Sequence, residues 1–356
     1  MDIDSGLLIL GMSFVVGMLM SALFHVWFQY SDFLRENFLS SSFAVAGASI
    51  ISIVALTMFF WVDDDLVGDI SLGQYLLSLG CGLLIIPTLF IPIGAVVVCG
   101  VFIASFLGVY LSDITIIFYP GLPEWLNMFL TSLTLGLFAC GFYCVAGLTP
   151  FPQSQGMVPA AGFVILTALG LAPLVMGISA AVLLGVLIIS YMRGMIQPME
   201  HLSAMLLGYI VGWLGLMSYP EYLLPCFVVF VMYYIMECLV AVFCKLTTLP
   251  QFAELPYNST LYRAFDESGS QEMVSRLIGY TGVLLLILGV FQTNSDNCFS
   301  FPIFAAMLCA WQQYRTANWQ TPDKTLRETN REVLDSIKKS FNVLFGENDK
   351  HTDDKK

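Results

Sequence analysis

Long apolar runs separated by short polar breaks fill the chain from Gly6 to Phe291. A hydrocarbon core of ~30 Å takes ~20 helical residues to cross, and backbone groups in lipid must be satisfied within the helix. The runs predict membrane-spanning helices over 6–27, 43–61, 73–90, 93–111, 125–144, 158–173, 175–192, 202–218, 221–244 and 275–293, with a weaker eleventh over 298–312. The expected fold is therefore all-α: a polytopic membrane bundle of 10–11 helices. The first run, "GLLILGMSFVVGMLMSALF", has no basic region before it and no small-residue cleavage site after it, so it is read as a helix and not as a signal peptide.

Past Tyr314 the pattern changes. In "TPDKTLRETNREVLDSIKKSFNVLFG", Thr321 suits an N-cap, Pro322 the first helical position and Gly346 the stop. Leu326, Val333, Ile337, Phe341 and Leu344 share one helical stripe, which predicts an amphipathic helix on the cytoplasmic face, favoured on a membrane or bundle surface over binding a separate partner. The expected organisation is a bundle over 1–293, a short extra span and connector over 294–320, the amphipathic helix over 321–346 and a disordered tail over 347–356.

Composition agrees, with 58% hydrophobic and 11% charged residues, which excludes an ordinary soluble domain. The net charge of −12 matters less than where the charges fall. With the N-terminus outside, all fourteen Lys and Arg, from Arg35 through Arg193 and Lys245 to Lys356, fall on the inner side. The opposite loops, 62–72, 112–124, 219–220 and 294–297, hold none. Basic loops stay cytoplasmic, so the N-terminus is expected outside and the tail inside. Asp63, Asp64, Asp65 and Asp69 then lie in an outer loop, and a solvated loop is favoured over a divalent-ion site. Eight of the nine cysteines lie in or beside apolar runs; small apolar packing is favoured over metal or disulfide chemistry.

Four segments carry a resemblance. They are "RENFLSSSFAVAGASIISIVALTMFFW" from Arg35, "LLGVLIISYMRGMIQPMEHLSAMLLG" from Leu183, "MECLVAVFCKLTTLPQFAELP" from Met236 and "SGSQEMVSRLIGYTGVLLLILG" from Ser268. In order, spacing and topology they resemble the phospho-N-acetylmuramoyl-pentapeptide transferases and related polyprenyl-phosphate sugar-phosphate transferases, over about residues 8–293. The resemblance implies ten spans with an external N-terminus and a bacterial inner-membrane location. It implies Mg²⁺-dependent transfer of a phospho-sugar from a UDP carrier to a polyprenyl phosphate at the cytoplasmic face.

The family's chemical residues are largely replaced. Its Asp-rich inner loop corresponds to "LFIPIG", without an acid, and its Asn-Leu-Thr-Asp-Gly-Leu-Asp-Gly-Leu motif to "GLTPFPQSQ", where Pro150 and Gln153 stand for the aspartates. Its three histidines map near Asn258 to Thr260. Glu200 is the acid retained at a family catalytic position, and it stands as the catalytic candidate. Gln153, Ser190 and Glu237 stand as substrate-binding candidates, with no metal ligand assigned. Mg²⁺ is held by carboxylates plus substrate phosphates, so losing nearly the whole acidic set predicts a catalytically silent member. "PFPQSQGMVP" is read as an inner loop, either a plain connector or part of a polar pocket. Adjacent Glu200 and His201 do not face one another on a helix, which weakens an acid/base pair. Glu237 is an intramembrane acid and thus a functional candidate, or an acid hydrogen-bonded inside the bundle.

The expected function is a degenerate transferase homologue that binds a polyprenyl phosphate or an active envelope-synthesis enzyme. Two alternatives stay open: an active divergent transferase using Glu200 and Glu237 with Mg²⁺, and a transporter of unrelated fold. The expected partners are the lipid bilayer, that lipid or enzyme, and a second copy as a homodimer; nothing points to nucleic acid.

Overall fold

The computed structural model describes residues 3–30, 41–60, 70–85, 94–145, 151–194, 201–247, 271–295 and 299–317, which form helices and turns with no strand among them. In chain order the helices are α1 (Ile3–Tyr30), α2 (Ser41–Phe59), α3 (Leu72–Gly80), α4 (Gly94–Ser112), α5 (Glu124–Val145) and α6 (Phe151–Ala168). There follow α7 (Leu174–Gly194), α8 (His201–Met217), α9 (Leu224–Phe230), α10 (Met232–Thr247), α11 (Gln271–Gln292) and α12 (Ser300–Ala317). Three helices are long and apolar enough to cross a membrane, over Ser5–Phe24, Glu124–Phe142 and Leu174–Met192; α2, α3, α4, α8 and α11 carry shorter apolar stretches.

Each predicted span overlaps helix, but three boundaries move. From Phe151 onward, the stretch expected as the loop "PFPQSQGMVP" is the start of α6. Pro152 sits in the first helical turn, where a missing N–H costs nothing. The other end of α6 closes where Gly170 takes φ +71, with Leu171 N–H donating to Leu166 O and Gly170 N–H to Thr167 O, both at 2.9 Å. That pair of bonds is a Schellman stop, and the span slides from 158–173 to 151–168. The single span expected over 221–244 is broken at Val231 into α9 and α10. After α3 the chain tightens into a 3₁₀ turn, Cys81–Leu84. The Asp63–Asp69 cluster, the greater part of "LFIPIG", Glu200 and the segment after Ala317 lie outside the described residues.

At the centre is α8, where every residue from Ala204 to Ser218 is buried. Polar groups on this inner surface are hydrogen-bonded to one another. Tyr75 OH pairs with Ser179 Oγ at 2.9 Å, Tyr209 OH donates to Ser78 O at 2.8 Å, and Trp213 Nε1–H donates to Ser78 Oγ at 2.9 Å. The rings of Tyr75 and Trp213 meet edge-on at 4.6 Å. This network ties α3, α7 and α8 into one unit, with the costly interior donors satisfied.

Alongside it, α1 and α7 run parallel and cross closely. A Cβ on Gly17 would collide with Val182 O, and one on Gly185 with Phe14 O. Ser13, Gly17 and Ser21 on α1 and Gly177, Ala181 and Gly185 on α7 recur at four-residue spacing, the small-residue pattern that lets helix backbones approach. Tight turns gather at one end of the bundle, where Ile117 N–H donates to Tyr219 OH at 3.2 Å. Gln153 and Ser190 lie toward the opposite end.

Candidate functional site

Two groups of buried polar side chains stand apart from the satisfied central network. The first lies at the start of α6. Gln153, its third residue, is 1% exposed, and its Oε1 has no hydrogen-bond partner among the described residues. Leaving a buried acceptor unmet costs about 1–3 kcal/mol, a condition that the hydroxyls of Ser13, Ser52 and Ser105 share among the described residues. Helices α6 and α7 are antiparallel: Leu187 packs on Gly156, and Thr167 packs on Gly177. The same register sets positions 153 and 190 opposite one another, and Ser190 is likewise buried.

The surroundings of Gln153 are polar for their depth. Ser154 and Gln155 are buried beside it. Pro159 lies inside the helix and has no N–H to give the carbonyl of Gln155. Amide and hydroxyl groups near the start of an 18-residue helix can bind a phosphate or a hydroxyl, helped by the helix dipole. They supply no formal charge. Mg²⁺ asks for carboxylates, and this pair of donors offers none, so Gln153 and Ser190 do not suit the ion that the family resemblance implies. Among the described residues no group of three His, Cys, Asp or Glu is arranged to hold a metal.

The second group joins α10, α11 and α12. Glu237 on α10 is fully buried, and its Oε2 accepts a hydrogen bond from Gln313 Nε2 at 3.1 Å. The neighbouring amide, Gln312, accepts at Oε1 from the Thr281 hydroxyl of α11. Tyr233, one turn before Glu237 and on the same face, lies within electrostatic reach of both Glu237 and Cys309. Nearby, Tyr234 OH donates to Phe138 O at 2.6 Å, and the Cys238 thiol lies 3.7 Å from Gly141 O, fastening α10 to α5.

Of the four candidates read from sequence, Gln153 and Ser190 fall at facing positions of α6 and α7. Glu237 belongs to a different set of helices, and Glu200 lies outside the described residues. The sequence reading missed Gln312 and Gln313, because the weak eleventh span was ended at residue 312. The signal was present in "CAWQQYR", two adjacent amides where an apolar run should have continued. The chain matches no protein-family model, and a search of curated proteins gives no significant match.

Proposed function

We propose that this chain is a multi-pass protein of a bacterial inner membrane, with its N-terminus outside, that binds a polyprenyl phosphate without transferring a phospho-sugar to it. In this reading it is a non-catalytic relative of the phospho-N-acetylmuramoyl-pentapeptide transferases and serves envelope biosynthesis by holding the lipid or presenting it to an active enzyme. The observation that carries the proposal is Gln153, a neutral amide where the resemblance expects aspartate, buried near the start of α6 and in register with the buried hydroxyl of Ser190. An amide, a hydroxyl and a helix start suffice to hold a phosphate monoester. They lack the metal-bound charge that phosphoryl transfer between polyanions requires.

The test uses the purified full chain in lipid nanodiscs. Native mass spectrometry should detect retained polyprenyl phosphate in preference to phosphatidylglycerol, and Gln153→Leu should lose that preference. With Mg²⁺, UDP-sugars and polyprenyl phosphate, no UMP should appear. UMP release that vanishes in Glu200→Ala would establish an active transferase instead. Equal retention of the two lipids by the wild-type chain would remove the lipid-binding reading.

A further inference from the structure

The group around Glu237 has a different logic from the far end of α6. A carboxyl group in the apolar interior of a bundle is costly and persists where a partner or a function holds it. Here the observed donor comes from α12, a helix beyond the region of family resemblance. On α12 the stripe Phe299, Ile303, Phe304, Met307, Trp311 and Tyr314 is exposed. The buried face presents Ala305, Cys309, Gln312 and Gln313. Two of those four residues are small and bury little apolar area. Phe301 and Ala306 also pack on the core from α12, and the two amides add directional bonds to that apolar contact.

Those amides are consecutive in sequence, about 100° apart around the helix, and reach different neighbours. Gln313 bonds to Glu237 on α10, and Gln312 to Thr281 on α11. A small rotation or outward shift of α12 breaks both bonds together. Interhelical hydrogen bonds in membrane bundles are worth about 0.6–2 kcal/mol each, so such a contact is reversible.

We propose that α12 is a displaceable cover over a binding site centred on Glu237. The carboxamide of Gln313 occupies the site as an internal stand-in, and the ligand that replaces it is a neutral, membrane-soluble molecule carrying an amide N–H or hydroxyl donor. Glu237 accepts from that donor as it accepts from Gln313. This site is independent of the lipid phosphate reading at Gln153, and either stands if the other fails.

An apolar carbodiimide that partitions into the bilayer and couples to carboxyl groups reads out the cover directly, with peptide mapping to locate the adduct. In the liposome-reconstituted full chain Glu237 should label slowly. Gln313→Leu should label about 3- to 30-fold faster, the population change that one interhelical hydrogen bond implies. Thr281→Val, which acts through Gln312, should accelerate labelling in the same direction, whereas Met307→Leu on the exposed stripe should leave it at the wild-type rate. Size-exclusion profiles and helical circular dichroism identify the folded variants. N-dodecylacetamide should slow labelling of Gln313→Leu, and its N,N-dimethyl analogue, which has no N–H, should not. Wild-type labelling as fast as that of both folded variants would overturn the cover. Equal protection by the two amphiphiles would overturn recognition of a donor.

Discussion

At the scale of single residues, the interior holds polar groups that are tied into the fold and others, Gln153 among them, with an atom that meets no partner among the described residues. Ser78 Oγ accepts the Trp213 indole N–H at the buried junction of α3 and α8. Ser78→Ala should leave that donor unmet and destabilise the chain by about 1–3 kcal/mol. Gln153 has the opposite sign. Its Oε1 has no partner among the described residues, so Gln153→Leu should hold or raise stability by up to about 1–3 kcal/mol while abolishing retention of the lipid. Thermal melts of both variants in one detergent check the pair. A lower melting temperature for Gln153→Leu would mean that the amide is structural, and the binding role would lose its main support.

Among the elements, the close crossing of α1 and α7 depends on two glycines, and this gives a sharp contrast within one helix. Gly17 lies against the Val182 backbone, whereas a Cβ on Gly11 meets nothing within 4 Å. Gly17→Val should force the helices apart and cost about 1–3 kcal/mol or more, because the obstruction is backbone and cannot rotate away. Gly11→Val on the same helix should be close to neutral, as measured by unfolding in detergent. The apolar pattern made the existence of both helices legible, since each run is long and uninterrupted. It could not tell Gly11 from Gly17, because hydropathy is blind to which face of an all-apolar helix packs. The four-residue spacing of Ser13, Gly17 and Ser21 carried that information. Likewise "PFPQSQ" reads as a loop from composition alone, yet a proline in the first turn starts a helix as readily as it ends one. Gln153 was found through the family resemblance. Its unmet acceptor appears only when burial and register are known, and the Gln313–Glu237 contact required a fold that brings residues 237 and 313 together.

For the whole molecule, the remaining question is which way the bundle faces. Two independent signals bear on it. All fourteen basic residues fall on one side if each predicted span crosses once. Helix directions fit the same alternation: Gly17 lies on Val182 and Ser21 Oγ donates to Val186 O at 3.5 Å, so α1 and α7 run parallel, while α6 and α7 run antiparallel. The end that holds the 113–123 segment also exposes Tyr119, Trp125 and Tyr222, amphipathic rings of the kind that settle at a membrane–water interface. We therefore expect this end to face outward. In a cysteine-free background, Tyr119→Cys and Glu124→Cys should react with a membrane-impermeant maleimide on intact cells. Ser336→Cys in the tail should react only after permeabilisation. Reaction of the tail on intact cells would invert the bundle. Gln153 and Ser190 would then face away from the cytoplasm, and a relationship to enzymes that take UDP-linked substrates there would fail. The Glu237 cover would survive that result, because it depends on which helices touch and not on which side they face.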